Sequence, residues 1–163
     1  RECLSIETFE GDMADLSVFA GGHFDLVFLP CSNCFLPDVK PVWHECYRVL
    51  TESGILLAGF TNPIRYMFEE ERFYNGNLTV KYPIPYSDLE CLTDEERQKA
   101  VLDKEEPLEF GHSLQDQIGG QIDAGFLITG FYEDRYPADE RDPISEFIST
   151  FIATRAVKTP YSR

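Results

Sequence analysis

Residues 22–63 read GHFDLVFLPCSNCFLPDVKPVWHECYRVLTESGILLAGFTNP, and this stretch decides the fold. Phe24 to Leu29 is a short apolar run closed by Pro30, and Gly54 to Phe60 is a second one closed by Asn62-Pro63. Continuous apolar runs of this length suit parallel strands buried on both faces. Between them, Val39, Val42, Trp43, Cys46, Tyr47, Val49 and Leu50 recur every three or four residues, the spacing of one helix face. The helix is expected to stop at Ser53-Gly54, with the glycine as a left-handed cap. Strand, helix and strand make one parallel β-α-β unit.

Around this unit the chain has 163 residues, 43% hydrophobic and 13% aromatic, enough for a single compact α/β domain over 1–163. Its 14 basic and 29 acidic residues give a net charge of −15, which disfavours nucleic acid and anionic membrane surfaces as partners. No apolar run approaches the roughly 20 residues of a membrane span, and a cytoplasmic location is expected. Five cysteines, an odd number in scattered contexts, suit reduced thiols. Cys31-Ser-Asn-Cys34 is a CxxC pair, but no second pair of matching spacing completes a zinc site, so no metal is expected. Pro37-Asp38 starts the following helix too late for a redox motif.

The ending Glu45-Cys-Tyr-Arg48-Val-Leu, the turn at Gly54 and the strand Ile55-Leu-Leu-Ala-Gly-Phe60 resemble the second half of a class I S-adenosylmethionine-dependent methyltransferase. Arg48 also suits the negative end of its helix. The likeness extends to Glu10-Gly11-Asp12-Met13 after the alternating segment Leu4–Phe9, similar to the end of the family's third strand. It covers His112–Phe126 with its Ala-Gly-Phe exit as the last helix, Leu127–Tyr132 as the sixth strand and Phe147–Ala156 as the seventh. It implies a partial Rossmann-like sheet, strands three to seven, with helices on its faces and a small inserted lid at 65–110. The family's glycine-rich cofactor loop has no counterpart: Gly21-Gly22 precedes a strand and Gly119-Gly120 lies within a helix. The chain therefore reads as the carboxy-terminal part of such an enzyme.

By this resemblance S-adenosylmethionine is the cofactor of the complete enzyme, and Asp12, Met13, Leu29, Pro30 and Cys31 would lie against it. The loop from Pro30 leaves the carboxyl end of a parallel strand, the edge on which open α/β sheets bind ligands. Asn33 and Phe35 in that loop, with His112 and Gln117 after the insertion, are candidates for the acceptor side. Asn33 is the one weak candidate for a catalytic group, and no base is assigned. Each has a plainer reading: Asn33 and Asp12 as turn residues, Met13 as core, and His112 as a solvent-exposed histidine. Ser113-Leu-Gln-Asp116 reads as a helix cap, and Asp25 as structural. His23 and His44 do not read as catalytic.

In the insertion, Asn75-Gly76 is a turn pair, followed by an alternating extended segment through Tyr86 whose aromatics suit a pocket wall; Thr93 opens a short charged helix. The implied reaction moves a methyl group from sulfonium to a small-molecule acceptor. The alternative is a folded dimeric α/β module that binds no cofactor. In the family's sheet order, 3-2-1-4-5-7-6, this chain leaves its fourth strand as an apolar edge. Such an edge favours a homodimer, a strand swap, or the segment Leu4–Phe9 folding into the vacant place.

Overall fold

A computed structural model describes residues 5–69, 77–103, 106–137 and 142–160. Four strands form one sheet: β1 (Phe24–Pro30), β2 (Leu50–Thr61), β5 (Phe126–Asp134) and β6 (Phe151–Lys158), in the order β1-β2-β6-β5. β1 and β2 are parallel, while β6 runs antiparallel to both β2 and β5. The β-α-β unit and the order of the last four strands agree with the expectation.

Helix α1 (Lys40–Val49) carries Pro41 in its first turn, where the missing amide costs nothing. It buries Val42, Trp43, Cys46 and Val49. These side chains pack with Leu29, Leu56, Ala58, Phe126 and Ala156 into one core. The helix ends at Val49, five residues before the expected glycine cap at Gly54. Leu50 is already extended, with its amide on Cys46 O, and β2 starts there. The residue with positive φ is Ser53, at 66°, rather than Gly54. Gly54 is required for space instead: a Cβ there would stand 2.8 Å from Thr51 O. Arg48 does more than face the helix end. It donates to Phe19 O at 2.9 Å and Leu16 O at 2.8 Å and pairs with Glu45 at 2.7 Å, tying the amino-terminal loop to α1.

The insertion contributes a small sheet of β3 (Tyr86–Ser87) against β4 (Phe110–Gly111), and two short helices, α2 (Asp88–Cys91) and α3 (Asp94–Gln98). Thr93 caps α3 in a full capping box with Glu96, as the sequence indicates. Phe68 and Val80 form an antiparallel bridge; the Asn75-Gly76 turn expected between them lies outside the described residues. The last helical segment begins with a π-turn, Gln115–Gly119, and continues as α4 (Gly120–Asp123). Its start is capped as expected, with Asp116 N donating to Ser113 Oγ at 3.1 Å. Gly120 touches Trp43 so closely that a Cβ would lie 2.7 Å from its ring.

Two boundary expectations fail. Residues 5–10 form no strand and are exposed, so the third-strand reading of this segment is corrected. A lone extended segment has no ladder to join. Nor does it fill the place beside β1. The last strand begins at Phe151 rather than Phe147, which follows a short 3-10 turn, Pro143–Glu146, and is 74% exposed.

Candidate functional site

β1 and β2 both deliver their carboxyl ends to one edge of the sheet, and β6 starts there. Beyond Pro30 the chain turns sharply: Cys31 adopts φ 51°, and its amide donates to Gly59 O at 2.9 Å. A short 3-10 turn, Asn33–Phe35, follows. The loop therefore doubles back over the end of β2 and presents Cys31, Cys34 and Phe35 to a cavity of about 560 Å³. Thr61 at the end of β2 and Phe151 at the start of β6 form its floor, and the insertion forms its other walls through Tyr66, Tyr82, Tyr86, Asp88 and Glu109.

The wall is an organised aromatic cluster. Tyr66 and Tyr86 stack with centroids 5.5 Å apart, and Tyr82 meets Tyr86 edge-on at 5.2 Å. Tyr86 Oη donates to Asp88 Oδ1 at 2.6 Å, and Asp88 Oδ2 accepts from Glu109 N at 2.7 Å. One buried carboxylate thus fastens the β3 end to the β4 strand. Gly111 of β4 lies flat against Tyr66, where a Cβ would come within 2.6 Å of the ring. Burial, followed by the nearby Glu109 carboxylate, pushes the Tyr66 hydroxyl far above its ordinary range. Tyr86 is raised by burial and then by its bond to Asp88. Both rings stay neutral phenols.

The CxxC pair is quiet. Burial pushes Cys34 up to about 11, with the Glu109 charge adding to the effect, and burial also raises Cys31. Cys34 Sγ donates to Cys31 O at 3.4 Å. Protonated thiols are poor nucleophiles. Among the described residues, no group of three His, Cys, Asp or Glu side chains stands close enough to hold a metal.

Asn33, His112 and Gln117 come together, but beside the cavity rather than in its lining. Asn33 is 1% exposed; its Nδ2 donates to Gln117 Oε1 at 2.8 Å, and its carbonyl lies 3.1 Å from His112 Nε2. Gln121 Nε2 then donates to Gln117 O, and Thr154 Oγ1 to Gln121 Oε1. The network runs from the loop through α4 to β6. His112, expected to be exposed, is buried at 7%. The sequence offered it no partner because that partner is a backbone carbonyl 79 residues away.

Asp12 takes its turn-residue form: Oδ1 accepts from Ala14 N at 2.8 Å on an exposed loop. Met13 packs on the core. Asp25 accepts from Thr51 Oγ1 at 3.0 Å, a strand-start contact away from the cavity. His44 is exposed on α1. Asp88 and Glu109 escaped the sequence reading because a β3–β4 pairing of two residues each leaves no periodic signal.

The family model described as "Methyltransferase domain" matches residues 1–58. The chain is 48% identical over 158 residues to the uncharacterized methyltransferase YbaJ of Bacillus subtilis, covering 97% of this chain and 60% of that protein. It thus spans less than two thirds of that relative's length. Among solved structures, an S-adenosylmethionine-dependent methyltransferase from Mesorhizobium loti superposes with a TM-score of 0.61 at 17% identity, covering 90% of this chain and 67% of that one. One from Methanosarcina mazei gives 0.57 at 15% identity, covering 91% and 65%. At these identities the structural likenesses speak for the fold.

Proposed function

We propose, from the kinship of this chain with the class I S-adenosylmethionine-dependent methyltransferases, that it carries the acceptor half of such an enzyme and that its cavity receives a small-molecule methyl acceptor. The observation that carries this reading is the cavity's place at the carboxyl edge of β1 and β2, walled by the 65–110 insertion. S-adenosylmethionine is the cofactor of this family. The residues present do not complete a cradle for it. Asp12 Oδ1 already accepts a backbone amide, residues 5–10 form no strand, and no glycine-rich loop exists in the sequence. The residues of this chain nearest to that role are Leu29, Pro30 and Cys31 at the end of β1, with Asp12 and Met13.

What this chain can do is bind and orient. The loop 31–35 is held by the buried network of Asn33, Gln117 and His112, so its cavity face is fixed before any ligand arrives. Fixed walls favour transfer through proximity and alignment, and no side chain of the cavity has to act as a base in this reading. The free state of the four described cysteines suits a reducing compartment such as the cytoplasm, and among the described residues no helix is long and apolar enough to cross a membrane.

Calorimetric titration with S-adenosylmethionine tests the reading on two chains, this one and one extended upstream of Arg1. Binding by the extended chain alone is expected. Binding by neither would remove the methyltransferase reading and leave a non-catalytic α/β module.

A further inference from the structure

We propose that Cys31 and Cys34 form a reversible dithiol–disulfide pair on the wall of the cavity, oxidised by a small organic disulfide such as oxidised glutathione. The proposal stands on the geometry of the loop and does not depend on the methyltransferase reading. Ser32, at φ −94° and ψ −9°, and Asn33 in its 3-10 turn fold the chain back between the two cysteines. Turns of this shape place residues three apart within about 7 Å, and a disulfide spans roughly 4.4–6.8 Å between Cα atoms. Cys34 Sγ already reaches back over residue 31, to its carbonyl oxygen at 3.4 Å. Asn33 holds the turn from within, because its Nδ2 donates to Gln117 Oε1. Both thiols are free, and both residues line the cavity.

The two thiols differ in access, and this orders the steps. Cys31 is half-buried, its sulfur lying over Gly59, where a Cβ would stand 3.6 Å from it; Cys34 is buried. Cys31 is therefore the attacking thiol and Cys34 the resolving one. The Cys31 thiolate displaces one thiolate from the small disulfide and forms a mixed disulfide, and the Cys34 thiolate then attacks the Cys31 sulfur and displaces the second. The chain gives up two electrons and two protons, and the small disulfide becomes two thiols. Helix α1 starts only at Lys40, too far along the chain for its amino terminus to stabilise a thiolate in the turn. Burial raises both thiols, and the Glu109 charge raises Cys34 further. That slows exchange at neutral pH. It also denies the dithiol the thiolate stabilisation that makes some CxxC pairs strong oxidants, so the disulfide, once formed, is the favoured member.

The test is intact-mass spectrometry of the whole chain, held in equal millimolar concentrations of reduced and oxidised glutathione until its mass distribution is constant, with free thiols then alkylated. A species lacking two hydrogens is expected to dominate and to be reversed by dithiothreitol, and peptide mapping should find Cys31 and Cys34 as the two cysteines that escape alkylation. Cys34→Ser, checked by circular dichroism for retained fold, should lose the disulfide and stop at a glutathione adduct on Cys31. Cys31→Ser should lose the disulfide and take up no adduct on the buried Cys34. A chain that keeps both thiols at equilibrium, a disulfide joining other cysteines, or a disulfide that persists in either variant would overturn the proposal. The wild-type mapping decides the question even where a variant does not fold. None of these results touches the cofactor titration, so a failed dithiol pair and a failed methyltransferase reading are told apart.

Discussion

Asn33 commits its side-chain nitrogen to position rather than chemistry. Its Nδ2 donates to Gln117 Oε1 at 2.8 Å and its backbone carbonyl lies 3.1 Å from His112 Nε2, with 1% of the residue exposed. Truncation leaves Gln117 Oε1 buried without its donor, the costly direction for a hydrogen bond. Asn33→Ala is therefore expected to lower stability by about 1–3 kcal/mol, read by urea denaturation. If Asn33 instead served only the ligand, the denaturation midpoint would not move. Sequence alone selects Asn33, His112 and Gln117 as polar residues needing an explanation, and the fold does bring them together. It could not show that they satisfy one another, because the contact spans 84 residues and depends on how far α4 has turned when it passes the loop. The π-turn at Gln115–Gly119 sets that angle, and no residue pattern announces it.

At the scale of elements, the α1–β2 junction shows two demands placed on adjacent residues. Gly54 looks like the left-handed cap by its identity, yet it is the close approach to Thr51 O that excludes a side chain there. The left-handed backbone falls on Ser53 at φ 66°, where an L side chain crowds its own carbonyl, at a cost of about 1–2 kcal/mol. Glycine removes that crowding but loses more freedom on folding, by about 0.5–1 kcal/mol. Relief exceeds loss, so Ser53→Gly is expected to stabilise the domain by about 0.5–1 kcal/mol, visible as a higher melting temperature. An unchanged or lower melting temperature would mean that the turn is not strained. Apolar runs and helical spacing made β1, α1 and β2 legible because each lies within one continuous stretch of sequence. The small β3–β4 sheet was not, since each of its strands has two residues and its pairing is held by Asp88 and tyrosine packing.

For the whole molecule, the governing fact is that, among the described residues, helices cover one face of the sheet and not the other. Val27, Leu29, Leu56, Ala58 and Ala156 face α1 and its core. On the opposite face, cross-strand register sets Leu26, Ile55, Val157 and Leu127 in one row across all four strands, with Phe28 beside Leu57 in the next. Leu26, Phe28 and Leu127 are 52%, 67% and 57% exposed. Among the described residues β1 also keeps one side of its ladder open, its pairing being with β2. An open edge next to an apolar face is a template for another strand. The sequence made this edge legible through the family's strand order, while the bare face emerges only from the register. Two occupants fit: a second copy of this chain, or additional chain of the length that the Bacillus relative has beyond the matched 60%. On either account the 163-residue chain should self-associate with increasing concentration in sedimentation velocity. A Leu26→Lys, Phe28→Lys double variant should remain folded and become monomeric, because both side chains point away from the core and two added charges oppose close pairing. The chain extended upstream separates the occupants. It should be monomeric if its own residues cover the face and dimeric if a second copy does. A 163-residue chain that stays monomeric at high concentration would instead mean that the edge is tolerated bare, and would sink the pairing argument.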